Sequence, residues 1–203
     1  MGPNDDIIYD CVLRRGLAPT VIQEVLQKWA SALALTHTPA LTYGRNPTDP
    51  STIGNLQDDM SGWCTDRSAV YVVLRETAVH RLGSESLAAF FFGLGFDLDL
   101  LLGRTVREGF AMGVRPEEVA PQGALTGLGW FQYCGPEIAG RWPPEVWEPF
   151  RTIRGNDGAV GLILGDDPLR PRIRDAAEAL GLSIRPLYGR NPATGEQIRI
   201  PHL

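Results

Sequence analysis

The stretch GAVGLILGDDPLRPRIRDAAEALGLSIRPLYG, residues 158–189, constrains the fold more than any other part of the chain. Gly158 to Gly165 is a short apolar run closed by glycines, the pattern of a buried strand. Leu169, Ile173, Ala176, Ala177 and Leu180 then recur at helical spacing, and Gly181 stops the helix. Ser183 to Tyr188 returns as a strand, so the unit reads β-α-β. A chain carrying such a unit must pair its strands in a sheet and cover that sheet with helices.

The N-terminal segment repeats the plan. Ile7 to Leu13 reads as a strand, and Val21, Ile22, Val25, Leu26, Trp29, Ala32 and Leu33 mark one face of a helix. Thr20 and Gln23 have capping-box spacing at its start. A strand around Ala40 to Tyr43 follows. Both units end on the same word, YGRNP, at 43–47 and again at 188–192. The shared order of helix end, apolar strand, proline and turn points to a duplicated α-β-turn unit, against the alternative that Tyr-Gly and Asn-Pro are ordinary turn vocabulary.

Between these units the spacing predicts a polar loop over 44–66, a strand at Ser68 to Arg75 and an apolar segment at Leu87 to Phe92. A helix is expected from Asp97 to Met112, with Asp97 at its N-cap and Asp99 in its first turn. A strand at Trp130 to Cys134 comes next, then a helix after Pro143-Pro144 that carries Val146, Trp147, Phe150 and Ile153. EQIRIP reads as a closing edge strand. The fold class expected is α/β or α+β, a single domain over 1–203 with a mixed β-sheet and packed helices, divisible into related halves 1–113 and 114–203.

Composition narrows the function. The formal net charge is -5, with acidic pairs at Asp5-Asp6, Asp58-Asp59, Glu117-Glu118 and Asp166-Asp167. A phosphate backbone needs a basic stripe, and none is present, so nucleic acid is not an expected partner. An acidic surface of this kind steers cationic proteins. All basic residues but Lys28 are arginine, a skew typical of GC-rich bacterial coding sequence. The longest apolar region, Leu87 to Leu102, is broken by Asp97 and Asp99 and is too short to span a membrane. The start, MGPNDDIIYDC, lacks a basic region leading into an apolar one, so the expected location is cytoplasmic. Three widely spaced cysteines, at 11, 64 and 134, fit reduced thiols rather than disulfides. The histidines, at 37, 80 and 202, give no zinc-ligand spacing, so no metal and no cofactor is expected.

Candidate chemistry is sparse. In each YGRNP word the arginine can grip a carboxylate or phosphate bidentately, the glycine permits close backbone approach, and the asparagine can orient a ligand. Tyr43, Arg45, Asn46, Tyr188, Arg190 and Asn191 are therefore the candidate binding residues. Two such turns at the same end of one sheet would bring Arg45 and Arg190 to one anion. Cys64, Asp66 and the strand-end Asp166 are minority catalytic candidates, since a packed thiol at Cys64 and a helix-opening aspartate at Asp166 are the more common uses of such residues. No G-x-S-x-G, P-loop or dinucleotide fingerprint occurs, and FGLGFDLDLLLG has loop glycines without a phosphate-binding register. The aromatic group Trp130, Phe131, Tyr133, Trp142, Trp147 and Phe150 reads as core.

Two functions follow. One is a small acidic binding protein that neutralises a protein partner in the manner of an immunity or antitoxin protein. The other is a small metal-independent enzyme acting on an anionic metabolite held by Arg45 and Arg190. The absence of catalytic motifs favours the first.

Overall fold

The computed structural model describes residues 6–35, 41–43, 59–65, 69–107, 129–141, 143–169, 187–190 and 197–200. Its centre is β1 (Ile7–Leu13), whose alternate residues feed two different cores. Tyr9, Cys11 and Leu13 belong to the larger core, and Val12 to a smaller one on the opposite face. This alternation is the strand period expressed as burial. After β1 the chain forms α1 (Pro19–Ala32), β2 (Leu41–Tyr43), β3 (Met60–Thr65), β4 (Ala69–Leu74) and α2 (Glu76–Asp97). It continues through β5 (Leu100–Arg107), β6 (Phe131–Cys134), α3 (Pro136–Ala139) and a 3-10 turn at Pro144–Trp147. The hairpin β7 (Arg151–Arg154) and β8 (Val160–Ile163) follows, then β9 (Leu187–Arg190) and β10 (Gln197–Ile200).

One sheet has the order β2-β3-β4-β1-β5-β6-β8-β7, while β9 and β10 pair as a separate two-stranded sheet. Seven strands of the large sheet, β3 to β7 in that order, are antiparallel, and β2 joins β3 in parallel at the edge. The fold is α+β, with a mixed sheet as expected. Strands β4 and β5 both flank β1, so the β4-α2-β5 connection passes over it, giving the split β-α-β order across β3-β4-β1-β5. Outward from β5, the order β1, β4, β3 on one side has its counterpart in β6, β8, β7 on the other.

Helices α1 and α2 cover the face that carries Tyr9, Val72, Phe131 and Tyr133; α3 and Trp147 cover the other at Val12, Leu102, Cys134 and Leu162. In α1 the inward positions are Ile22, Leu26 and Ala30, at helical spacing. The expected Thr20 cap is corrected: the N-cap is Ala18 without a side-chain bond, and Pro19 starts the helix at a position where its missing N–H costs nothing. The start of α2 is capped from a distance. Asp6 accepts the Glu76 backbone N–H at 2.9 Å and the Arg75 guanidinium at 2.6 Å, tying the head of β1 to the helix.

The middle of the chain departs most from expectation. Residues 60–65, placed in a polar loop, form β3. Leu87 to Phe92 lies inside α2, and the helix expected over 97–112 is replaced, over 100–107, by strand β5. Asp97 therefore ends a helix rather than opening one, and its carboxylate accepts Lys28 Nζ at 2.7 Å and Trp29 Nε1 at 2.8 Å, joining α1 to α2. The loop glycines of FGLGF are helical. A Cβ at Gly93 would run into the Trp29 ring, and one at Gly95 into Tyr133, so these glycines seat aromatic rings. After Pro143 only one 3-10 turn forms, and Ile153 sits on β7.

Candidate functional site

A concave site forms where α2 breaks. Gly83 has φ 71° and ψ 164°, a backbone state that a residue with a Cβ rarely adopts. A Cβ there would meet nothing within 4 Å, so conformation and not space reserves the position for glycine. The chain resumes as helix at Ser84 and Glu85, leaving a gap on the side that faces the end of β8.

The opposite wall is built by the exit from β8. Leu164 N–H donates to the Trp130 carbonyl at 2.7 Å, and Trp130 Nε1 donates to the Gly165 carbonyl at 2.9 Å, fixing the strand end. Gly165, at φ 100°, then turns the chain outward into Asp166 and Asp167. Asp167 accepts the Leu169 backbone N–H at 2.9 Å, a local turn that holds Pro168 and Leu169 over the gap. The resulting cleft, about 230 Å³, is lined by Val79, His80, Gly83, Ser84, Asp166, Asp167, Pro168 and Leu169.

Its chemistry divides by depth. Val79 is buried and Leu169 packs against the main core, so the floor is apolar. Two carboxylates, Asp166 and Asp167, line the cleft, and the Asp166 side chain is 97% exposed; Glu85, adjacent in sequence to the lining residue Ser84, is 82% exposed. Arg151, the first residue of β7, reaches both, donating to Asp166 Oδ1 at 3.2 Å and to Glu85 Oε1. His80 Nε2 lies 3.5 Å from Glu76 Oε1 one helical turn away. Carboxylates above an apolar floor suit a side chain with an aliphatic stem and a cationic head.

Of the residues singled out from the sequence, Asp166 lines this cleft. Cys64 does not: it is 1% exposed within the main core, and burial raises its thiol pKa. Cys134 is pushed up to about 12 and Cys11 well above its usual value, each mainly by burial. Such thiols stay protonated and enclosed, the opposite of an activated nucleophile. Arg45, Asn46, Asp66 and Asn191 lie outside the described residues.

The strands that carry the tyrosines of the two YGRNP words join different sheets, which corrects the expectation that both lie in one sheet. Tyr43 is the last residue of β2 in the large sheet, whereas Tyr188, Gly189 and Arg190 lie within β9 and pair with β10. The aromatic group is divided between the two cores, with Phe131 and Tyr133 on one face and Trp147 on the other, while Trp142 lies outside the described residues.

Gly83, Ser84, Glu85 and Arg151 escaped the sequence reading. The signal available was GSES directly before LAAFFF: a glycine, then serine and glutamate ahead of an apolar run, which is the vocabulary of a second helix start. Among the described residues, no group of three His, Cys, Asp or Glu side chains is placed to hold a metal ion. Nor is any helix among them long and apolar enough to cross a membrane. No protein-family model, curated protein or solved structure matches the chain.

Proposed function

We propose that the chain is a binding protein that neutralises a basic protein partner, as immunity and antitoxin proteins do, and that a cationic side chain of the partner seats in the cleft at Gly83. The observation that carries this reading is the pair of lining carboxylates Asp166 and Asp167 beside Val79 and Leu169, with Glu85 joined to Asp166 through Arg151. The net charge of -5 adds long-range attraction for a basic surface, and the cleft gives that attraction a place to end. The enzyme alternative depends on Arg45 and Arg190 meeting at one anion, and Arg45 lies outside the described residues.

The test is charge reversal at the rim, read as affinity for an oligo-arginine peptide at low salt. Glu85→Lys with Asp166→Lys is expected to weaken binding about tenfold, a loss near 1.4 kcal/mol. Glu145→Lys with Glu148→Lys, exposed in the 3-10 turn and directly after it, changes the net charge equally and is the control. Equal losses from both pairs would reduce the attraction to overall charge and remove the cleft from the account.

A further inference from the structure

Resting on the reading of the cleft as a cation seat, we infer that Arg151 is an internal placeholder, occupying the rim carboxylates in the free protein and yielding them to an arginine of the partner. Arg151 stands on β7 and reaches across to two carboxylates from two other parts of the chain, Glu85 of α2 and Asp166 after β8. These carboxylates come from separate elements yet lie one guanidinium apart, so their spacing already fits a planar fork with donors on both arms. A second guanidinium entering along the floor of Val79 and Leu169 would meet Asp166, which lines the cleft, with Glu85 next in sequence to the lining residue Ser84.

Displacement is easy on the observed exposures. The side chains of Arg151, Glu85 and Asp166 are 44%, 82% and 97% exposed. Ion pairs in such surroundings are weak and exchange readily with solvent or with a competitor. The resident arginine therefore lowers the cost of holding two carboxylates together without closing the cleft against an incoming cation. Arginine, rather than lysine, is the expected ligand, because a point charge does not reproduce the two-armed contact that Arg151 makes.

The experiment compares Arg151→Ala with Arg154→Ala, both exposed at opposite ends of β7 and equal in the charge they remove. Affinity for an oligo-arginine peptide is measured at low salt, with circular dichroism confirming that both variants fold. Arg151→Ala should bind about threefold more tightly than Arg154→Ala, the scale of one exposed ion pair released to the ligand. Equal affinities, or weaker binding by Arg151→Ala, would overturn the placeholder role while leaving the cation seat standing. Failure of the unsubstituted protein to bind the peptide at all would overturn the seat, and the placeholder with it.

Discussion

Replacing Asp10 with alanine is expected to destabilise the protein by about 3–5 kcal/mol, because it removes the carboxylate paired with a buried guanidinium. Asp10 on β1 lies opposite Arg104 on β5 at the centre of the large sheet. Arg104 Nη2 donates to Asp10 Oδ2 at 3.3 Å, with side-chain exposures of 4% and 0%. Gln132, next in the same row on β6, is also fully buried and donates its Nε2 to the Gly103 carbonyl at 2.7 Å. A polar row thus crosses the face opposite α1 and α2. In a chain of this size the loss corresponds to a melting midpoint lowered by about 6–20 °C. The double change Asp10→Leu with Arg104→Met should recover most of the loss, since a buried pair contributes little beyond an apolar replacement of similar volume. A single change costing no more than a surface substitution, about 0.5 kcal/mol, would show that Arg104 reaches water without Asp10.

The second large effect is expected at Phe91, where truncation to alanine should cost about 3–5 kcal/mol through lost burial and the cavity left behind. Phe91 is fully buried, with ring centroids 4.7 Å from Tyr9, 5.0 Å from Phe90 and 5.8 Å from Phe131. Its carbonyl accepts the Tyr9 hydroxyl at 3.1 Å, so ring and backbone both join α2 to β1. Phe96→Ala, on the same helix but 56% exposed, should stay within about 0.5 kcal/mol. Chemical denaturation of the two variants checks the register of α2 directly: comparable losses would mean that the helix does not present Phe91 inward and Phe96 outward.

β1, β4, β6 and β8 are apolar runs with clear boundaries, and each forms where the pattern places it. Helix α1 is legible because its buried positions recur every fourth residue on one face only. The middle of the chain misleads because its elements are buried on more than one side. In β5, Leu100 packs with the larger core and Leu102 with the smaller one. Such a strand loses its polar alternation, and its leucines mimic helical spacing. The opposite error occurs in α2, where Gly93 and Gly95 resemble loop residues because nothing local reveals the rings of Trp29 and Tyr133 that occupy their place. Asp97 looks like a cap until Trp29, far away in sequence, is known to donate to it.

The site was legible only at one residue. GDDP after an apolar run marks a strand end where a ligand crevice can form, and Asp166 does line the cleft. The facing wall depends on the break in α2 at Gly83 and on the meeting of Glu85, Asp166 and Arg151, three positions with no sequence spacing in common. Tertiary contact creates that group. The YGRNP words drew attention for the opposite reason, since local identity carries no information about which sheet each copy joins.

A cationic side chain seated in the Gly83 cleft is detected by an amide chemical-shift titration of the protein with an oligo-arginine peptide at low salt. The largest changes should fall on Val79 to Glu85 and on Gly165 to Leu169, the two walls, and should fade together as salt is raised. Changes centred on other surfaces, with both walls silent at saturating peptide, would contradict the account.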